Sequence, residues 1–590
     1  MSDREPFSWI EIDMDGCGRV FGQGGCPAAL GVGGVQRKCF NTFATCKAKA
    51  AFLHDKAFRT LRICEPRANL PRDGTWFPML QSVSEEAGRV NIAGSDDEMA
   101  ALGRRATMKA TVSDAPYHDR FLDPYQAERV SGAAQVDEPG YDPASRGTLW
   151  GKTVARWPYY AGRPIRRCQG YLVDGQVVDV RKRHYVLTSR SGPGTSGSVS
   201  FEAADVLDLA KNEKAVAPAP SNGALAEAID ADAMRLTLVP EGIGNSEYPT
   251  SGRACIGSEI VTYTRTGDTI TLTGRGIART AVASHNEGDT FQQVLFIDRK
   301  RVHEVIQILL GYTNVDPARY PGPEDAAEIL RWLPGVLLTR HIVKPTGVDT
   351  LIGELALFGV SIFPSNILNR IRLKANRPVD NDEIFDLTDR DDIIEVTRKD
   401  RDDKRLTQIH VHSVLTDPSK SSTSAENYDR LMATVELAAQ EAWAYGETRI
   451  RKIYTAWLEG GGDSIIRISS FRLLRRFLAA PAHLTLLLDE KDGAIDLADV
   501  LRLTTDALQD DTGRQITSLY QVIERSEPDP GHQFEVVAQA YQFSGRFGVI
   551  PPNGTPPYAS ATPEQRERFM FITANSAPWL PDGSPHYEIF

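Results

Sequence analysis

Tyr171-Leu172-Val173-Asp174-Gly175-Gln176-Val177-Val178-Asp179-Val180 is an extended, β-branched run folded about an Asp-Gly pair. Asp-Gly suits the two positive-φ positions of a tight turn, so an antiparallel hairpin is predicted there. His184-Tyr185-Val186-Leu187 predicts another strand, residues 191–198 a loop, and Val199-Ser200-Phe201 a return to extended chain. Further along, Ile260-Val261-Thr262-Tyr263-Thr264 and Thr269-Ile270-Thr271-Leu272-Thr273 flank Thr266-Gly267-Asp268, a second hairpin of β-branched residues. Helical spacing begins with Val302, Val305, Ile306, Leu309 and Leu310. The same criterion predicts helices over residues 349–360, 425–443 and 463–478. Strands return at His483-Leu484-Thr485-Leu486-Leu487-Leu488, Val500-Leu501-Arg502-Leu503 and Gln533-Phe534-Glu535-Val536-Val537-Ala538. Residues 211–223, with Ala217-Pro218-Ala219-Pro220, read as a linker or exposed crossover. The expected fold is α+β and multidomain, with barrel- or sandwich-like β modules and helical insertions.

Composition narrows the function classes. The chain has 590 residues, room for several domains, with 41% hydrophobic and 25% charged residues as in ordinary globular proteins. A net charge of −11 argues against a basic surface that wraps nucleic acid, though not against a channel that DNA traverses without sticking. Met1-Ser2-Asp3-Arg4-Glu5-Pro6 lacks a basic segment followed by an apolar core, so no signal peptide is expected. The longest apolar stretch, residues 351–363, is interrupted by Glu354 and too short for a bilayer, so no stable membrane insertion is expected.

Five of the seven cysteines, Cys17, Cys26, Cys39, Cys46 and Cys64, fall in the first 64 residues. In a reducing cytosol such clustering favours metal binding over disulfides. The spacing lacks the close Cys-x-x-Cys pairs of most zinc knuckles and is compatible with four thiolates converging on an iron–sulfur cluster. Zinc, or small buried thiols packed as hydrophobes, are the alternatives.

The segment Lys38-Cys39-Phe40-Asn41-Thr42-Phe43-Ala44-Thr45-Cys46, with Thr60-Leu61-Arg62-Ile63-Cys64 and the upstream Asp15-Gly16-Cys17 and Gly25-Cys26-Pro27-Ala28-Ala29, resembles a known signature. It is similar to the amino-terminal region of central hub proteins in the tail-tip baseplates of long, non-contractile-tailed bacteriophages. Arg275-Gly276-Ile277-Ala278-Arg279-Thr280 through His285 resembles a second stretch of such hubs and of gene-transfer-agent particles. The ending Gly548-Val549-Ile550-Pro551-Pro552-Asn553-Gly554 resembles a third. After Cys46 this chain runs Lys47-Ala48-Lys49-Ala50-Ala51-Phe52, where the family continues with Gln-Asp and an Asn-aromatic pair.

The resemblance implies a virion component made in the host bacterial cytoplasm: a non-enzymatic homotrimer with two barrel-like domains per subunit. Its pseudo-sixfold ring would join the distal tail protein ring to a threefold tip. It would meet the tape measure protein and tail-tip fibre or host-contact proteins, and frame the channel for genome ejection. It implies an iron–sulfur cluster, [4Fe-4S], with zinc as the alternative metal. The expected ligands are Cys26, Cys39, Cys46 and Cys64, with Cys17 the alternative fifth. The expected division is residues 1–80 for the cysteine-rich region of the first hub domain, and 81–215 for its β-rich remainder. Residues 216–310 form a second β-rich hub domain and 311–480 a mixed domain. Residues 481–590 are C-terminal strands with an extended tail, returning to the hub core.

Other motifs are read as structural. His410-Val411-His412 places two imidazoles on one strand face without nearby metal ligands, so exposed strand histidines are expected. Asp389-Arg390-Asp391-Asp392 and Asp400-Arg401-Asp402-Asp403 mix signs as a solvated surface does. Gly192-Pro193-Gly194-Thr195-Ser196-Gly197-Ser198 lacks the Gly-Lys-Ser/Thr ending of a phosphate loop, and His285 is expected to be hydrogen-bonded structure. A redox enzyme or cell-wall hydrolase is the alternative function, but no nucleophile, base and oxyanion site assemble in the sequence.

Overall fold

The structure, a computed structural model, describes residues 4–30, 37–95, 102–134, 140, 142–211, 213–379, 382–441, 443, 446–459, 462–529, 532–541 and 550–571. Strand outweighs helix throughout. Eight strands form the first sheet: β1 (Glu5–Cys17), β2 (His54–Cys64), β3 (Trp76–Pro78), β4 (Leu80–Glu86), β5 (Thr107–Ser113), β6 (Pro164–Val173), β7 (Gln176–Ser191) and β8 (Ser198–Ala204). Their order is β3-β2-β1-β6-β7-β8-β5-β4. The outermost strands, β3 and β4, are separated only by Met79, so their facing ends lie within about 7 Å. One extended segment therefore serves both edges, and the sheet closes into a barrel. Ile10, Ile63, Phe77, Leu80, Ala110, Ile165, Leu187 and Phe201, one from each of the eight strands, meet in a single interior core. Trp150 and Trp157, on and just after α2 (Leu149–Arg156), plug that core; the shorter α1 (Gln126–Ser131) precedes it.

The predicted hairpin at Asp174-Gly175 is present, but residues 184–187 continue β7 rather than starting a new strand. The segment read as an exposed linker is anchored. In it, β9 (Val216–Ala217) pairs with β18 (Thr346–Gly347), and Ala215 and Ala217 are buried.

A second, smaller barrel uses β10 (Ala224–Leu225), β11 (Arg235–Val239), β12 (Ser251–Ile256), β13 (Glu259–Thr266), β14 (Thr269–Gly274) and β15 (Phe291–Gln293). In the order β10-β11-β14-β13-β12-β15, its two edges meet. Leu225 N–H donates to Asp289 O at 3.0 Å and Phe291 N–H to Gly223 O at 2.9 Å. The short α3 (Ile243–Glu247) packs Ile243 into its core.

The helices α4 (Val302–Leu310), α5 (Pro323–Trp332), α6 (Val348–Ala356) and α7 (Asp463–Phe477) build the largest core. They join the small sheets β16 (Leu295–Lys300) with β17 (Leu338–Ile342), and β19 (Val360–Ser365) with β20 (Arg370–Ala375). The predicted helices at 302–310, 349–360 and 463–478 correspond to α4, α6 and α7. The one predicted over 425–443 does not form. Its centre is β24 (Tyr428–Val435), held against β23 (Gln408–Leu415), which also pairs with β25 (Ile450–Thr455). Leu431, Val435, Leu437 and Trp443 are exposed, so ladder pairing overrode local pattern.

The third sheet takes β21 (Ile384–Thr388), β22 (Ile393–Asp400), β26 (Ala482–Asp489), β27 (Val500–Gln509), β28 (Gln515–Asp529) and β29 (Gln533–Ala540) in the order β21-β27-β28-β29-β26-β22. Its outer strands are joined by a turn in which Asp392 N–H donates to Thr388 O at 3.0 Å, giving a barrel-like form. Leu387, Ile393, Leu486, Leu503, Val522 and Val536 share its core.

The first and third barrels meet directly. Val90 N–H donates to Ile523 O at 2.8 Å, and Glu524 pairs with Arg104 and Arg89. Glu527, with its side chain only 3% exposed, takes Arg183, Arg525 at 3.2 Å and Gln169 at 2.5 Å. Among the described residues, no helix is long and apolar enough to cross a membrane.

Candidate metal centre

Cys17 ends β1 at the rim of the first barrel, opposite His54 in the register with β2. Its amide donates to Asn41 O at 2.6 Å, and Asn41 Nδ2 returns bonds to Cys17 O and Arg19 O, both at 3.0 Å. Asn41 holds a left-handed backbone, φ 56°, which asparagine tolerates. The double clasp brings the Cys39–Cys46 segment beside Cys17. Leu53 N–H points at Cys17 Sγ, at 3.4 Å.

Between them, the chain turns through Gly24 and Gly25, both at positive φ, to reach Cys26. A Cβ at Gly25 would meet only the movable end of Arg19, so it is the positive φ that calls for glycine there. Cys26 and Cys39 both pack against Phe21, Ala28 and Tyr125. Beyond Cys39, Phe40 N–H donates to Thr45 Oγ1 at 3.1 Å and Cys46 N–H to Phe43 O at 3.3 Å, folding Cys46 back.

The support beneath this lobe is charged and buried. Arg129, 1% exposed, donates to Lys38 O and Cys39 O at 3.0 and 2.8 Å, and its Nε binds Asp123 at 2.6 Å. Its guanidinium lies 3.7 Å from the centre of the Phe40 ring and that of Arg156 4.0 Å from it. Burial pushes the Cys39 thiol up, and the nearby thiols of Cys46, Cys26 and Cys17 push in the same direction. Those four cysteines are therefore electrostatic neighbours.

Cys64 is elsewhere. It faces Trp9 in the β1–β2 register, eight positions up β1 from Cys17, roughly 25 Å at strand rise. Trp9 has Cys168 on its other side, and both thiols are fully buried among Phe7 and Leu172. Burial raises the Cys64 thiol to about 11. The expected set of Cys26, Cys39, Cys46 and Cys64 is thus not one group; Cys17 stands where Cys64 was expected. Among the described residues, no three Cys, His, Asp or Glu side chains converge closely enough to hold a metal ion as they stand. The donor chemistry nonetheless suits a soft, thiolate-preferring metal, since four thiols share the lobe. Arg19 Nε is also buried there without a hydrogen-bond partner among the described residues.

The second resembling motif has a definite role. Glu259, at the start of β13, is fully buried. It receives Arg275 Nε and Nη2 at 2.9 and 2.7 Å, His285 Nε2 at 2.8 Å, and the amides of Gly276 and Ala283 at 3.0 and 3.1 Å. Thr280 Oγ1 accepts from Ile260 N–H at 3.0 Å. The Arg-Gly, Thr and His of the motif therefore pin loop 275–285 onto the second barrel. Burial opposes the Glu259 charge, but the bonds from Arg275 and His285 outweigh it and hold the carboxyl at about 2. A carboxyl lowered from 4.5 stabilises the fold fully above about pH 4.5 and progressively less as pH falls toward 2. Urea midpoints measured from pH 6 to pH 2.5 are expected to fall, and to fall less steeply in Glu259→Gln.

The remaining candidates are structural. His410 Nε2 bonds Gln408 at 2.9 Å and His412 stacks on Tyr454; both are half-buried rather than exposed. Asp402 and Asp403 pair with Arg405, Arg449 and Arg401 at the surface. Of the Gly548–Gly554 motif, Gly548 and Val549 lie outside the described residues, which resume at Ile550.

No protein-family model and no curated protein matches this sequence. Among solved structures, the chain is similar to a tail protein from Neisseria meningitidis MC58, at 8% identity and a TM-score of 0.36, over 78% of this chain and 97% of that one. It is similar to the 43 kDa tail protein of prophage MuSo2 from Shewanella oneidensis, at 8% identity and a TM-score of 0.32, over 78% and 98%. It is also similar to a chain of a native gene transfer agent virion, at 12% identity and a TM-score of 0.24, over 35% and 42%. With every TM-score below 0.5, no residue role is transferred from them.

Proposed function

We propose that this chain is a structural hub of a phage-type tail-tip baseplate, acting as a homotrimer within the virion. The observation that carries the reading is the pairing of two large barrels in one subunit through a charged, buried seam. Three copies would present six large barrels, matching a sixfold distal tail ring above while keeping a threefold tip below. The tape measure protein would enter from above, fibre or host-contact proteins would attach below, and DNA would pass through without sequence-specific binding. The sequence resemblance of the cysteine segment points the same way. The role is architectural rather than enzymatic.

Cys17, Cys26, Cys39 and Cys46 would hold an iron–sulfur cluster, with zinc as the alternative. Metal–thiolate bonds would cross-link a lobe that has little apolar core of its own, drawing the thiols together on binding. Native mass spectrometry of anaerobically purified protein is expected to give a trimer, and a monomer at micromolar concentration would count against the hub. Metal analysis is expected to find iron with inorganic sulfide. Cys17→Ser or Cys39→Ser should lose it, while Cys64→Ala should keep it; the reverse pattern would reject this ligand set. Particles that assemble normally with Cys39→Ser and Cys46→Ser combined would reject the structural role of the cluster.

A further inference from the structure

The mouth of the first barrel that faces the third holds a cavity of about 550 Å3. Glu5, Ser8, Glu65, Arg67, Arg167 and His532 are among the residues that line it. Arg167 lies on β6 between Ile10 of β1 and Arg183 of β7, in the row of side chains turned toward the barrel interior. It is only 6% exposed. Its Nε and one Nη are fully shielded, and among the described residues they have no hydrogen-bond partner and no carboxylate in ion-pairing contact; Glu85 and Glu65 act on it only from further off. Its neighbours are otherwise engaged: Arg183 is bound to Glu527, and Gln169 Nε2 is given to the same carboxylate.

A buried guanidinium without a directly bonded counter-charge is costly, because its desolvation is only partly offset by carboxylates at longer range. Most buried charges in folded proteins are paired, so an unpaired one in the wall of a cavity marks a place where a ligand can supply the missing group. The cavity volume is within the usual range for small-ligand sites, which favour the mouths of β-barrels. Arginine's planar fork matches a carboxylate through two parallel bonds. Glu5 is ion-paired with Arg67 in the same wall, while Glu65 disfavours a dianion such as phosphate, whose second charge it would repel. We propose that this mouth is a carboxylate-binding site, with Arg167 as the residue that takes the carboxylate.

Glutarate, inorganic phosphate, and a short peptide with a free carboxyl terminus are to be titrated calorimetrically into the full chain at low salt. Glutarate or the peptide is expected to saturate a single site, the stronger of the two telling a small acid from a protein terminus. Arg167→Met should weaken that binding by about tenfold or more, and Arg167→Lys by less, having lost the fork but kept the charge. Ligand-free Arg167→Met should melt above the wild type, because the unpaired charge is gone, which also establishes that the variant folds. Unchanged carboxylate binding in Arg167→Met, no carboxylate binding to the wild type at about 10 mM, or a preference for phosphate would each overturn the proposal.

Discussion

Glu259→Ala is expected to destabilise the second barrel by about 3–5 kcal/mol, the range for removing one partner of a buried ion pair. The change strands Arg275 and His285, whose side chains are 6% and 5% exposed, and leaves the amides of Gly276 and Ala283 without their acceptor. Equilibrium unfolding in urea, followed by circular dichroism and by hydrogen exchange of the second barrel's amides, measures the loss; residues 216–310 hold no tryptophan to report it. Because the small barrel has its own core, a separate early transition is the expected form. Glu259→Gln should lose less, since it can still accept bonds from the two amides. Pairing Glu259→Leu with Arg275→Met should recover part of the deficit by removing both charges. A loss below about 1 kcal/mol in Glu259→Ala would mean that loop 275–285 is held by other contacts.

The second large effect is expected at the seam between the first and third barrels. Glu527 is the carboxylate shared by Arg183 and Arg525, with Gln169 as a further donor. Burial already pulls Arg525 down to about 9, and the neighbouring Arg183 and Arg181 charges add to that. Glu527→Ala would leave these cations together and is expected to cost about 3–5 kcal/mol. The distinguishing sign is salt. Repulsion between the stranded arginines is partly screened, so added sodium chloride should restore more stability to Glu527→Ala than to the wild type. Limited proteolysis should also cut sooner near residues 87–105, which carry Arg89, Val90 and Arg104 against the third barrel. Equal salt responses in the two proteins would rule out this account.

Local elements were legible wherever turn chemistry or periodicity decided them, as at Asp174-Gly175 and along α4. Closure of the barrels was not, because it depends on β3 and β4 being one extended segment that pairs at both ends of the sheet. Nothing within residues 76–86 declares which distant strands it will meet. The cysteine lobe was half legible. Clustering in sequence marked it, but Cys64 lies at the far end of a long strand from Cys17, and the rise of that strand separates them. Glu259 was missed although a signal existed. It shares the parity of Val261 and Tyr263, which both point into the barrel core, so a charge there had to find partners indoors. Arg167 carried a similar signal, sharing the parity of the inward Ile165.

Met79 has a consequence beyond geometry. A sheet whose first and last strands are neighbours along the chain shortens the row of amides and carbonyls it offers to another copy, although β3 covers β2 only at Arg62, Ile63 and Cys64 and leaves an open edge before them. A shorter open edge gives crowded copies less strand to zip along. More of their recognition then falls to side-chain surfaces, which can be specified residue by residue.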